Sequence, residues 1–318
     1  MPIQEADRVT ITTVMDNYTD VFLIGSDYVK RWGPPDMIPG KTAAFGDPPP
    51  LLAEHGLSLL VEVFKGEERL TLLFDTGFTD VGVPYNLQKL GIETAHIDAI
   101  VFSHGHPDHT AAIGNILTSS GRNIPLITHP FAFRKRYLVF PDGNRVLSNT
   151  LSEESLIKAG ADIRLSSDLL PLAPFAFVTG EIDMVNDFEL HFPLAHYEEN
   201  GKLEKDFFED EKSLVINVKN KGLIVITGCG HRGVMNTIAY AKRLSGVDRI
   251  HAVIGGFHLT GTTTMEKISR TVEEMERVGP DFIIPTHCTG LRAMKQFADA
   301  MPERFILNAV GTKFMFGS

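Results

Sequence analysis

Three imidazoles and a carboxylate fall within six residues of the stretch AIVFSHGHPDHTAAIGNI: His104, His106, Asp108 and His109. An apolar run leads straight into them, so a buried strand should end where they begin. Two histidines at i and i+2 on an extended segment turn both rings to one side. Pro107 suits the first position of a helix, from which Asp108 and His109 can turn towards the same centre. Imidazole nitrogen and carboxylate oxygen bind borderline divalent ions such as zinc at roughly 2.0–2.2 Å. Four ligands from one loop exceed what a single catalytic ion needs. They suit two ions about 3.5–4 Å apart, with His104 and His106 on one, Asp108 and His109 on the other.

Other strand ends must supply the remaining ligands. His287 in FIIPTHCTG is the best candidate, with a core or capping histidine as the competing role. Cys229 in LIVITGCGH stands at an equivalent strand end, where a thiolate can bridge two ions; the alternative is a small buried hydrophobe. His231 is open between ligand, proton donor and helix cap. His258 in IGGFHL is open between ligand and substrate contact. Glu181 in VTGEI is either a hard ligand from a fourth strand end or a plain turn residue. Asp75 in LLFDTG is expected to accept a hydrogen bond from a ligand histidine and fix its tautomer. The turn GCGHRG precedes a helix, so amides around Gly228 and Gly230, with Arg232, are candidates for an anion seat. His191 and His196 lie in a charged stretch and read as solvated. The basic run Arg134, Lys135, Arg136 likewise reads as a solvated face.

The elements that position these groups alternate along the chain. VTITTVMDN has strand composition. LSLLVEVFKGEERLTLLF reads as a hairpin turning at Lys65-Gly66-Glu67, and the Pro/Gly-rich WGPPDMIPGKTAAFGDPPP as irregular surface. VPYNLQKLGI, HTAAIGNILTSSG and SEESLIKAGA are helical, and IPLITHP is a strand. FAFVTGEIDMV reads as strand-turn-strand, and HFPLAHYEENGKLEKDFFEDEKS as a long polar loop. SLVINVKNKGLIVITGCGHRGVMNT gives hairpin, turn and helix; IHAVIGGFHL is a strand into a turn. TMEKISRTVEEMERVG is an amphipathic helix, and DFIIPTHCTGLRAMKQFADAM is strand, turn and helix. In both halves the chemistry sits at strand C-termini, where open α/β sheets place their sites. We expect a single domain over 1–318, two packed sheets flanked by helices, with a less regular insertion around 130–210.

The bulk properties narrow the partners. The 318 residues are 43% hydrophobic and 22% charged, an ordinary globular composition. Thirty basic against forty acidic residues give a formal charge of −10, unlike a nucleic-acid binder. Two cysteines cannot make a disulfide framework and suit a reducing compartment. No secretory signal and no membrane-spanning run are visible. The expectation is a cytoplasmic protein with a small-molecule substrate; a homo-oligomer is compatible with it.

The motif SHGHPDH resembles the HxHxDH signature of the metallo-β-lactamase-fold hydrolases, and LLFDTG resembles the strand before it in that family. The resemblance covers most of the chain, since IIPTHCTG also fits. It implies a four-layer αββα sandwich with a metal site at the sheet edge. TGEI, TGCGHRGVMNT, VIGGFHL and HCTG are similar to those of the dihydropterin–ribofuranosylaminobenzene phosphate synthases, a subgroup whose name implies pterin transfer. Glu181 stands where most of the superfamily has His, and Cys229 where it has Asp. The first expectation is a metal-dependent hydrolase of a small, anionic substrate that contains phosphate or a pterin. In it Asp108 orients the nucleophile, and His231 or His258 protonates the leaving group. A dihydropterin transferase and a non-catalytic metal-bound sensor are the alternatives. The thiol favours zinc, with iron or manganese next.

Overall fold

A computed structural model describes residues 3–33, 36, 50–148, 151–189, 192–261 and 263–317. Most of the Pro/Gly-rich stretch and His191 lie outside these residues.

The hairpin Ser58–Lys65 and Glu68–Phe74 opens the first sheet, with Lys65 opposite Glu68 across a two-residue turn. Strand Arg8–Met15 pairs antiparallel with Ser58–Lys65 on one side and with Lys313–Gly317 on the other; Val29–Lys30 completes that edge. Beyond Glu68–Phe74 the pairing turns parallel through Ala99–Val101, Ile124–Thr128 and Ala161–Leu165. The second sheet repeats the plan. Leu170–Ala173, Ala176–Val178, Leu214–Val218 and Gly222–Ile226 are antiparallel, then Ile250–Gly255 and Phe282–Pro285 are parallel.

The apolar runs explain the layering. In LIVI and IHAVIG every residue is buried, as expected of strands covered on both faces. One face carries Ile224, Ile226, Ala252 and Ile254 into a cluster with Val9, Ile11, Leu72 and Phe74 of the first sheet. The opposite face carries Leu223, Val225 and Val253 against helices Val234–Ser245, Met265–Val278 and Leu291–Ala300. On the far side of the first sheet, Leu73, Ile100 and Leu126 pack with helices Gly82–Lys89, Ile113–Ser120 and Glu153–Ala159. The order of layers is helix, sheet, sheet, helix, the αββα sandwich.

Three details depart from expectation. FAFVTGEIDMV contains only the strand Ala176–Val178. Past Glu181 the backbone serves a different partner: the Arg232 guanidinium donates to the Ile182 carbonyl, and Val185 N–H donates to Asn236 Oδ1. The polar stretch after Phe192 is also not a plain loop. It holds a hairpin, Ala195–Glu199 and Lys202–Lys205, within a four-stranded sheet that includes Arg136–Val139 and Arg145–Leu147. Asn200 and Gly201, both at positive φ (51° and 75°), make its two-residue turn. Of the basic run, only Lys135 is solvated. Arg136 is buried between Asp206 and Asp210, and Arg134 lies over the rings of Phe131 and Tyr197.

Candidate metal centre

The parallel strands of both sheets end at the same edge. Beyond Phe74 comes Asp75, beyond Val101 the loop from Phe102 to His106, beyond Ile226 Cys229, beyond Gly255 His258, and beyond Pro285 His287. Close contact between the two edges requires small residues. A Cβ on Gly228 would stand 2.0 Å from Ser103 Oγ of the facing edge, and within the first edge one on Gly105 would stand 2.1 Å from the Ala132 carbonyl oxygen. The short helix Pro107–Thr110 is tied down by backbone bonds: Thr76 N–H and Leu57 N–H donate to the carbonyls of His109 and Asp108.

Three histidines are held the same way, by Nδ1, with Nε2 left for the centre. Asp75, fully buried, receives Ser103 N–H on Oδ1 and Ser103 Oγ–H and His109 Nδ1 on Oδ2, all at 2.7 Å. A carboxylate only accepts, so His109 Nδ1 must carry the proton. Ser103 Oγ has spent its hydrogen on Asp75, so it accepts from His104 Nδ1 at 3.0 Å. His287 Nδ1 faces Asn17 Oδ1 at 3.2 Å, while Asp16 Oδ1 accepts the His287 N–H at 2.9 Å. The Nε2 atoms then converge. His109 Nε2 is 3.1 Å from Cys229 Sγ, His287 Nε2 is 3.2 Å from Asp108 Oδ2, and His104 Nε2 is buried with no hydrogen-bond partner.

The donor atoms fall into two groups that share one sulfur. Asp108, His109, Cys229 and His287 form the first, with all donors within 4.8 Å of one another; His104, Cys229 and His231 form the second. The His106 ring joins the second group, 4.5 Å from His104 and 5.0 Å from His231. Both ring nitrogens of His231 are buried and unpartnered, and its ring lies flat on Phe208 at 4.0 Å. A third group, Cys229, His258 and Cys288, adjoins these.

The electrostatics are those of a site waiting for positive charge. Burial, aided by neighbouring imidazoles, holds His104 and His231 well below the ordinary histidine range. Burial and Arg136 bring His106 down to about 4. Burial would raise Asp108, but His109 and His287 outweigh it and hold the carboxyl well below its usual value. Burial likewise opposes charge on His109, yet Asp75 and Asp108 raise it to about 9. Burial pushes the Cys229 thiol up. Unpaired buried imidazole nitrogens are costly, and a divalent cation satisfies them and lowers the thiol at once. The donor set of nitrogen, sulfur and carboxylate fits zinc or iron better than magnesium.

Several expected site residues lie elsewhere or act differently. Glu181 is exposed and 3.3 Å from His129 Nε2, outside every donor group, because the chain turns away after Ala176–Val178. In the turn that holds Gly228, Gly230 and Arg232, the chain itself takes two amides and the guanidinium. Glu211 accepts the N–H groups of His231 and Arg232, and the Arg232 guanidinium is spent on the carbonyls of Ile182 and Phe207. Burial raises Glu211 to about 7 despite those two bonds. His258 sits at the rim, half-buried at φ 45°, its ring 4.3 Å from His231. His196 is half-buried on the added hairpin.

The sequence did not announce Ser103, Asp16, Asn17, Asp210 or Glu211, and it offered Arg136 only as part of a solvated basic run. Asp16-Asn17 ends a strand as Asp75 does, which is the one signal that could have found them. Asp210 fixes the histidine loop by accepting Gly105 N–H at 2.9 Å while Arg136 holds its other oxygen.

The Metallo-beta-lactamase superfamily family model matches residues 53–136, the span that holds the histidine loop. A synthase of Methanocaldococcus jannaschii, 7,8-dihydropterin-6-methyl-4-(beta-D-ribofuranosyl)-aminobenzene-5'-phosphate synthase, is 34% identical over 262 residues, 80% of this chain and 88% of that one. The chain belongs to the metallo-beta-lactamase superfamily. A crystal structure of a metal-dependent hydrolase of the beta-lactamase superfamily aligns with a TM-score of 0.75 at 23% identity, over 98% of this chain and 100% of that one. The metallo-beta-lactamase fold protein YhfI from Bacillus subtilis aligns at 0.51 and 14%, over 98% and 100%. At these identities the two structures show the shared superfamily fold.

Proposed function

We propose that this member of the superfamily is a metal-dependent hydrolase of a small anionic substrate. Its centre holds one or two divalent ions, zinc by donor chemistry. The observation that carries this reading is the gathering of the Asp108, His109 and His287 donors and the buried, unpartnered imidazole nitrogens of His104 and His231 around the Cys229 sulfur. His104, His106 and His231 would hold one ion and Asp108, His109 and His287 the other, and Cys229 belongs to both donor groups. When bound, such an ion supplies Lewis acidity and lowers the pKa of a water towards ~7.

The side chains divide the remaining work by exposure. The imidazoles of His104, His109 and His287 are closed to solvent, whereas Asp108 keeps 16% of its side chain open. Asp108 is therefore the group that accepts a hydrogen bond from the attacking water and orients it. His258, at the rim beside His231, donates the proton to the leaving group. The shared core cluster of both sheets supports one domain over 1–318, and two unpaired buried thiols support a reducing, cytoplasmic setting.

Elemental analysis of the purified protein tests the centre directly, with one to two equivalents of zinc expected. Asp108→Ala should abolish turnover on an ester, lactone and phosphodiester panel while circular dichroism stays unchanged. Undiminished turnover in chelated protein would sink the reading.

The similarity to the Methanocaldococcus synthase supports a second reading, transfer of a dihydropterin methyl carbon to an arylamine ribose phosphate. Incubation with a pterin diphosphate and such an acceptor separates the two. Because Glu211 occupies the glycine-turn amides, the acceptor phosphate would have to bind elsewhere.

A further inference from the structure

A cavity of about 530 Å³ lies on the helix-facing side of the first sheet, past the C-terminal end of helix Gly82–Lys89. Its floor is a row of residues that stand opposite one another across four neighbouring strands: Leu60, Thr12, Lys313 and Lys30. None of the residues that line it belongs to a donor group of the metal centre. Thr12 and Thr71 each come four residues before a carboxylate of the cluster edge, Asp16 and Asp75, so roughly 13 Å of strand separates the two places.

The charges of the cavity run against those of the chain. Among the described residues, five basic side chains line it against three carboxylates, in a chain whose net charge is −10. Those carboxylates are engaged. Glu62 accepts from Arg69 at 2.8 Å, Asp36 accepts the Gly33 N–H at 2.9 Å, and Glu93 stands 3.6 Å from His96. Lys30 and Lys313 have no carboxylate of their own, and they stand directly opposite each other across an antiparallel pair. Like charges in that position destabilise a sheet, and an anion lying between them turns the repulsion into attraction. The Arg31 guanidinium beside them donates to neutral acceptors, the Leu307 carbonyl and the Thr312 hydroxyl, and its buried Nε has no partner. Lys89 adds a further cation from the end of the helix. Phosphate suits such point charges, with up to two negative charges and three acceptor oxygens per group. The volume is that of a site for a whole ligand, not for a single ion.

We propose that this cavity is a second binding site, separate from the metal centre, for a chain of phosphates carrying three or more negative charges. Lys30 and Lys313 hold the chain from the sheet, and Lys89 holds it from the helix. The inference is independent of the metal reading above.

Trp32, the one tryptophan of the chain, lines the cavity, so its fluorescence reports on this site and not on the metal centre. Titration of the protein as purified with tripolyphosphate should give a saturable change, at a Kd at least tenfold below that of orthophosphate. ATP in a parallel titration separates the two sources of such a chain: tighter binding than tripolyphosphate assigns a nucleotide, equal or weaker binding a free oligophosphate. The double variant Lys30→Gln, Lys313→Gln should bind tripolyphosphate at least tenfold more weakly. Without ligand it should melt no lower than the native protein, because the opposed charges are gone, and its zinc content should be unchanged. Lys202→Gln, Lys205→Gln removes the same charge from exposed positions of the added hairpin and should leave binding within twofold. Lys89→Gln, outside the sheet, should weaken binding at least threefold and serves if the first double variant misfolds. No saturable change at Trp32, or equal weakening by both double variants, overturns the proposal. So does a lower melting temperature in the ligand-free, folded Lys30→Gln, Lys313→Gln protein, which would mean that the chain itself uses these lysines.

Discussion

Asp75→Asn isolates the charge and acceptor capacity of one buried oxygen. The backbone tolerates the change, because Asp75 sits at φ 61°, a left-handed conformation that asparagine adopts readily. In the native chain Asp75 accepts three hydrogen bonds at 2.7 Å, one on Oδ1 and two on Oδ2. An amide in the same place has one oxygen and one NH₂. If the NH₂ takes the Oδ2 position it meets the Nδ1–H of His109. The imidazole must then shift its proton to Nε2, where it points at Cys229 instead of a lone pair. If the amide flips, its NH₂ faces the Ser103 N–H instead. Either arrangement opposes two donors in a site with no water access, at about 1–3 kcal/mol. Loss of a partner that orients a ligand histidine weakens metal binding by about 10–100-fold, or roughly 1.4–2.7 kcal/mol, so the two routes agree. The assay is zinc competition against a chromophoric chelator, with circular dichroism as the control for folding. A variant that binds zinc within threefold of the native protein, in the native stoichiometry, would refute the assigned tautomer and with it the geometry of the cluster.

Four further outcomes are expected. Cys229→Ser removes the donor common to both groups, so zinc content should fall by at least one equivalent in elemental analysis while the fold persists. Lys212, fully buried with Nζ donating to the Thr179 carbonyl, is brought by burial from 10.5 down to about 8. Between those two values the unfolded chain holds the extra proton, so stability rises with pH across that window. Relative to Lys212→Met, native stability measured in urea should therefore gain up to about 3 kcal/mol from pH 8 to 10.5; a flat difference counts against a buried ammonium. Arg136→Met strands two buried carboxylates, Asp206 and Asp210, and should cost about 3–5 kcal/mol in urea melts. Ile254→Ala, fully buried between the sheets, should cost about 2–5 kcal/mol by the same measurement.

What was legible in the sequence was whatever is local. SHGHPDH carries its donors in one loop, so spacing alone announced them. Cys229 and His287 were legible because an apolar run tells where a strand ends, and strand ends meet at one edge. The partners that aim these donors are distant in sequence: 271 residues separate Asp16 from His287 and 120 separate His109 from Cys229. Residue type misled most in FFEDEK. Its run of charges reads as a polar loop, yet Asp210, Glu211 and Lys212 are each closed to solvent. Each has its own compensation, Arg136 with Gly105 N–H, two backbone amides, and the Thr179 carbonyl.

Glu181 and Glu211 show why a carboxylate near a strand end is ambiguous. Both were available to a centre that the superfamily resemblance leaves one histidine short. Glu181 leaves with the chain as it turns away, and its acid ends on the surface against His129. Glu211 arrives by a longer route and does not point at the cluster. It holds the backbone of His231 instead, and by doing so sets that imidazole beside His104 and Cys229. On the proposed reading, the missing histidine would come from the glycine turn, on the residue read as ligand, donor or cap. Glu211→Gln, which keeps the shape and loses one of two acceptors, should loosen His231 and weaken the ion that His104, His106 and His231 would hold while sparing the donors Asp108, His109 and His287. Zinc titration resolved into two steps distinguishes this from a general loss of fold, which would weaken both steps together.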